Sequence, residues 1–172
     1  MRRALVLLAV SIAALAVAFL PGRGDGGAAG SDAPGGSVVR VQRVVDGDTI
    51  RVSLGGRSEP VRYIGVDTPE SRKPDTPVQC FARRAAAENA RIVRGERVRL
   101  VFDVERRDRF GRLLAYVYRA RDGVFVNAAL VRGGFARTLT IPPNVRFAGR
   151  FAALAAEARR AGRGLWSACG TA

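Results

Sequence analysis

Short runs of alternating β-branched residues, cut by turn dipeptides, constrain this chain more than any other feature. Val38 to Val45 alternates with period two, Thr49 to Leu54 alternates again, and a third run extends from about Pro60 to Val66. A helix needs apolar residues every 3.6 positions, so these three runs read as strands. Asp46-Gly47 separates the first two, and Gly55-Gly56-Arg57-Ser58 the second and third.

A proline-rich loop follows from Thr68 to Val78, then a helix from about Cys80 to Val93 ended by Gly95. Arg97 to Phe102 and Arg112 to Tyr118 supply a fourth and a fifth strand, and Asp122-Gly123 turns the chain. Asn127 is expected to cap a short helix that stops at Gly133-Gly134. Beyond Pro142-Pro143, the spacing of Phe147, Phe151, Leu154, Ala155 and Ala158 puts the apolar residues of a last helix on one face. It ends near Gly162 to Gly164, and Leu165-Trp166 folds back. Three strands, a helix, two strands and further helices make an α+β, mainly β, protein. The order is that of a five-stranded OB-type barrel with three helices, although other small barrels share it.

The N-terminus is a separate object. Arg2-Arg3 precedes an apolar run from Ala4 to Leu20 broken only by Ser11, which reads residues 1–20 as an export signal or, if retained, a membrane anchor. Residues 21–37 hold seven glycines and little apolar surface, and are expected to be a flexible linker. Residues 38–172 are then the folded domain, outside the cytosol: secreted, or anchored to the outer face of the membrane. In an oxidising compartment Cys80 and Cys169 are expected to pair. Closing a loop of that length is worth up to about 4 kcal/mol by chain entropy, and two buried thiols are the alternative.

The chain has no histidine, which excludes His general bases, Ser-His-Asp triads and His-ligated zinc. Two cysteines cannot close a four-ligand zinc site. Hydrolytic chemistry here must draw on carboxylates, arginines and hydroxyls, with or without a hard metal ion. Lys73 is the one lysine among 29 basic residues, so part of the arginine count reflects a compositional bias. The net charge of +14 is a different matter, and nearly all of it falls in residues 38–172. A polyanion is the partner such a domain fits first, and a membrane surface second.

Candidate site residues come from the first hairpin. If Thr49–Leu54 pairs with Val61–Val66 about a turn at residues 57 and 58, partners sum to 115 and Asp48 lies opposite Asp67. Alone, Asp46-Gly47-Asp48 is an ordinary turn and Asp67-Thr68-Pro69 an ordinary strand exit. Two opposed carboxylates at one open end repel unless something positive lies between them; a hard divalent cation is the usual answer, with the Thr68 carbonyl and waters completing its shell. Glu70, three residues beyond Asp67, is placed to accept a proton from water. Arg62 and Arg112 can clamp a phosphate and neutralise its transition-state charge. Arg62 and Asp67 have opposite parity along a flat strand, so a bulge near Gly65 or an early strand end is required.

These residues carry a resemblance. Asp46-Gly47-Asp48-Thr49, Arg62-Tyr63-Ile64-Gly65-Val66-Asp67-Thr68-Pro69-Glu70, and Asp108-Arg109-Phe110-Gly111-Arg112 with Leu114-Ala115-Tyr116 resemble the staphylococcal nuclease (thermonuclease) family. Asn127 to Arg132 and Gly164-Leu165-Trp166 match it too, so the likeness runs from about Val38 to Trp166. It implies an OB-fold, calcium-dependent nuclease that cleaves DNA and RNA to 3′-phosphate ends. Asp48, Asp67 and the Thr68 carbonyl then correspond to calcium ligands, Glu70 to the proposed general base, and Arg62 with Arg112 to the phosphate-binding pair. Phe110 stands at a substrate-binding position where the family often has Tyr, so a hydroxyl contact is missing. Thr138 to Pro142 lacks the tyrosines used beside base and sugar, which implies weaker nucleotide affinity and a blurred base preference. Tyr63, Tyr116 and Tyr118 are expected in the core.

Two other classes compete. A non-catalytic OB-type nucleic-acid-binding module explains the charge, but bare carboxylates beside a phosphate track repel its ligand. A basic protein coating anionic cell-surface polymers explains charge and export and none of the motifs. A monomer is expected, and membrane contact only if residues 1–20 are retained.

Overall fold

The computed structural model describes residues 36–71 and 77–170. The expected export signal or anchor, most of the expected linker and the centre of the proline-rich loop lie outside those residues. Strands β1 (Ser37–Val44), β2 (Thr49–Leu54) and β3 (Arg57–Tyr63) run consecutively, followed by a short β4 (Gly65–Asp67). Helix α1 (Ala82–Val93), strands β5 (Arg97–Val101) and β6 (Leu113–Arg119), helix α2 (Val126–Arg132), strand β7 (Arg137–Leu139) and helices α3 (Ala148–Arg160) and α4 (Leu165–Ala168) complete it. The expected five-stranded barrel is present, closed in the order β1-β2-β3-β6-β5, while β4 and β7 form a separate two-stranded sheet. The segment expected to fold back after α3 is a short fourth helix, α4.

Alternation puts one face of each strand inside. Val39, Val41, Ile50, Val52, Val61, Val98, Leu100, Ala115 and Val117 fill the barrel. Full burial of a Val, Leu or Ile side chain contributes about 1.5–3 kcal/mol, and eight such positions, with Ala115, define one core on five strands. Tyr63, Tyr116 and Tyr118 are buried, as their place within strands implied. Tyr116 meets Phe147 edge-on with ring centroids 4.7 Å apart, and Tyr118 stacks on Phe125 at 4.4 Å. These contacts seat α2 and the start of α3 against β6.

The first hairpin departs from the expected register. Gly55 and Gly56 both take positive φ (57° and 77°), the two-residue turn that glycine pairs favour. Leu54 therefore pairs with Arg57, Thr49 with Arg62, and partners sum to 111 rather than 115. Asp48 is not opposite Asp67; its carbonyl accepts the Tyr63 N–H instead (2.9 Å).

A second correction concerns Asn127. It is not a helix cap but a fully buried side chain inside α2, whose own N-cap position is Phe125. Its Oδ1 accepts the Val117 N–H and its Nδ2 donates to the Ile64 carbonyl, both at 2.9 Å. The second bond satisfies a carbonyl that the ladder abandons where β3 ends. At Gly65, with φ +79°, the chain swings from the barrel into β4, and the Phe151 ring of α3 occupies the space a Cβ would need. The break that the parity of Arg62 and Asp67 demanded is therefore at this glycine.

Candidate active site

The Asp46-Gly47-Asp48 turn is braced from three sides. Asp46 Oδ1 accepts the Asp48 N–H (3.1 Å), and the Val45 N–H reaches the Thr49 carbonyl (2.9 Å). From α1, buried Asn89 donates to the Asp46 carbonyl and accepts the Tyr63 hydroxyl, each at 2.9 Å. Gly47 lies so close to Thr68 that an added Cβ would stand 2.6–2.8 Å from the threonine side chain. That contact lets Asp48 Oδ2 receive both the Thr68 N–H (2.7 Å) and the Thr68 hydroxyl (2.9 Å).

Arg62 joins what the hairpin register separates. Its Nη1 lies 2.8 Å from Asp48 Oδ2 and also donates to the Val66 carbonyl (2.9 Å), while Nη2 donates to Asp67 Oδ1 (2.9 Å). The two aspartates therefore do meet, through one guanidinium whose side chain is only 14% exposed. Arg112 arrives from the neighbouring strand because β3 and β6 run parallel, with Arg62 beside Leu114. Asp108 aims it: Oδ1 accepts the backbone N–H groups of Phe110 and Arg112 (both 3.0 Å), and Oδ2 accepts Arg112 Nε (2.7 Å).

These side chains surround a polar cavity of ≈60 Å³ lined by Asp46, Asp48, Thr49, Arg62, Asp67, Thr68, Pro69, Glu70 and Arg112. Beside it runs a larger, mostly apolar groove of ≈480 Å³, whose wall includes Arg109, Phe110, Leu139 and Ile141. Arg62 and Arg112 line both, and no other described residue does. Phe110 is largely exposed, with the Arg109 and Arg112 guanidinium carbons 4.8 and 5.4 Å from its ring centroid.

Crowding shows in the acid strengths. Burial first, and then the Asp48 charge, push the Asp46 carboxyl up to about 6. Burial also raises Asp67; Arg62 opposes the rise, and Asp48 and Glu70 add to it. Four carboxylates against two guanidiniums is a donor set for a hard divalent cation, which oxygen ligands bind. Among the described residues no three acidic side chains converge as a ready cage, and Asp48 Oδ2 is already occupied by Arg62 and Thr68. The chemistry fits a cation held by few carboxylates and several waters.

Residues 60–168 match the family model described as "Staphylococcal nuclease homologue". The chain belongs to the staphylococcal nuclease family. It is 34% identical over 163 residues to a thermonuclease of Staphylococcus hyicus, covering 95% of each chain. It is 41% identical over 142 residues to a thermonuclease of Staphylococcus intermedius, covering 83% of each. Endonuclease YncB of Bacillus subtilis is 40% identical over 134 residues, which span 77% of this chain and 63% of that one.

Within this family member, the positions singled out from sequence come to one place: Asp48, Arg62, Asp67, Thr68, Glu70 and Arg112 line one cavity, and Phe110 the adjoining groove. Cys80 and Cys169 form the expected disulfide, with Cα atoms 5.8 Å apart. Sequence reasoning missed Asp46, Asn89 and Asp108. Asp108 had a signal, four residues before Arg112 and beside a Gly turn; Asn89, on a helix, had none.

The Asp46 shift has a stability consequence. Its carboxyl holds a proton more tightly in the folded state than its ordinary 3.8. Folding is thus favoured where Asp46 is protonated, and that advantage is lost as pH rises through about 6. Asp46→Asn keeps Oδ1 for the Asp48 N–H. It is expected to stabilise the metal-free protein at neutral pH by on the order of 1–3 kcal/mol, with no gain below about pH 4. Denaturant titrations in chelator at the two pH values check this.

Proposed function

We propose that the chain is a calcium-dependent endonuclease that hydrolyses DNA and RNA phosphodiesters to products with 3′-phosphate ends. The observation that carries this reading is the shared wall: Arg62 and Arg112 stand between a carboxylate cavity and a groove of nucleotide size. A phosphate bridging the two spaces meets both guanidiniums, while the attached base and sugar lie along Phe110, Leu139 and Ile141.

Asp48 and Asp67, with the Thr68 carbonyl, would hold Ca²⁺, which when bound supplies positive charge to a phosphate oxygen. Glu70, at the cavity rim, accepts a proton from the attacking water. The water oxygen bonds to phosphorus, the bond from phosphorus to the 5′ oxygen breaks, and that oxygen takes a proton from solvent to leave as a 5′-hydroxyl. Arg62 and Arg112 stabilise the charge that accumulates on the phosphorane oxygens. A bare binding module has no use for carboxylates that repel phosphate.

With aliphatic Leu139 and Ile141 in the groove and no tyrosine hydroxyl at Phe110, nucleotide affinity is weaker and base preference blurred. The disulfide suits an oxidising compartment outside the cytosol, which agrees with residues 1–20 acting as an export signal or anchor and 38–172 as the nuclease domain.

The test is hydrolysis of single-stranded DNA by the full chain, with calcium and with chelator, beside Glu70→Gln. Calcium-dependent cleavage that falls by at least about 100-fold in the variant is expected. Parental turnover in Glu70→Gln would remove the glutamate from the mechanism. DNA binding without cleavage under any divalent ion would make the chain a binding module.

A further inference from the structure

Glu70 stands on the half-buried segment that follows β4. Its backbone is paired at both atoms with a single residue: the Glu70 N–H donates to Gln79 Oε1 (2.8 Å), and the Gln79 N–H donates to the Glu70 carbonyl (3.0 Å). Gln79 is exposed, so water competes for both bonds, and such a pair persists only if its two ends are held in place.

Two anchors hold Gln79. On one side its carbonyl accepts the N–H of Ala82, a buried residue at the start of α1 (3.1 Å). On the other, the next residue is Cys80, bonded to Cys169 across 89 positions of sequence. Cys169 lies one helical turn beyond Leu165, whose carbonyl accepts its N–H (3.2 Å). Leu165 is buried, and its own N–H donates to the Gly134 carbonyl (2.8 Å). At that crossing a Cβ on Gly134 or Gly164 would run into the opposing backbone, so α4 sits directly against the α2 terminus. A covalent line thus runs from the core through Leu165 and the disulfide to Gln79.

We propose that Gln79 is a positioning residue for Glu70, and that the Cys80–Cys169 disulfide acts on turnover through it. The disulfide is then part of the catalytic alignment as well as a stabilising cross-link. This inference rests on Glu70 being the base, as proposed above.

Turnover and KM for single-stranded DNA in calcium test it on the full chain. The variants are Gln79→Ala, Gln79→Glu, Cys80→Ser/Cys169→Ser and the combination of Gln79→Ala with both serines. Misplacement of a reacting group by an ångström can cost 100-fold, so partial release is expected to lower kcat roughly tenfold in Gln79→Ala and in the double serine, with KM within about twofold. Gln79→Glu retains an acceptor for the Glu70 N–H and is expected to recover most of the turnover. The combined variant is expected to be no slower than the slower of its parents, because both act on one contact.

Parental kcat in Gln79→Ala, or multiplicative losses in the combined variant, would overturn the inference. Thermal unfolding shows whether the double serine is folded at the assay temperature; if it is not, the Gln79→Ala and Gln79→Glu pair decides alone. Glu70→Gln separates the two levels. Full turnover there removes the base assignment itself, whereas an inactive Glu70→Gln beside an unaffected Gln79→Ala removes only the positioning role.

Discussion

Arg62→Ala is expected to lower kcat/KM by at least about 1,000-fold and to destabilise the fold by roughly 3 kcal/mol. Both losses have one cause. The guanidinium contacts Asp48, Asp67 and the Val66 carbonyl at 2.8–2.9 Å, so its removal leaves a 5%-exposed carboxylate without its cation and two acids facing each other. It also deletes one of the two arginines shared by the cavity and the groove. Arg62→Lys separates the effects. A single ammonium keeps the charge but not a fork spanning two carboxylates, so most of the stability is expected to return while turnover stays depressed. Denaturant titration and DNA hydrolysis on both variants provide the comparison; a lysine variant within about tenfold of parental activity would contradict the bidentate role.

Gly65→Ala is expected to cost on the order of 2–4 kcal/mol and to depress turnover as well. Position 65 takes φ +79°, a conformation that side chains rarely adopt, and the Phe151 ring fills the space beside it. Alanine must either strain the backbone or push Phe151 out of a core where it is 1% exposed. The functional effect follows from location. Gly65 is where the chain leaves β3 and turns Asp67 back toward Arg62, so a shifted hinge moves a carboxylate. The midpoint of urea unfolding is expected to fall with an unchanged denaturant slope. A change within about 0.5 kcal/mol would show that neither the dihedral nor the contact matters.

How much of the site was legible depended on whether a feature was local. The Asp-Gly-Asp turn, the break required between Arg62 and Asp67, and the pairing of two cysteines in a chain expected to be exported each follow from nearby residues or from residue chemistry. The register did not. Counting from a turn at residues 57 and 58 placed Asp48 opposite Asp67, and the conclusion that they meet held for a different reason. Gly55-Gly56 sets the turn two residues earlier, and the Arg62 side chain bridges the aspartates instead.

By itself the sequence determined the strand-rich order, the absence of histidine chemistry and the acids and arginines available for hydrolysis, because alternation, turn propensity and side-chain chemistry are properties of short segments. Tertiary structure alone decided that Asn127 would lie buried beneath the β3 break rather than cap a helix, and that Asn89 would brace the Asp46 turn. It also decided that Gln79 would hold Glu70. Each of these contacts depends on where barrel closure and helix packing leave a backbone group unpaired. That is settled by strand order and crossing geometry, which no single stretch of the chain contains.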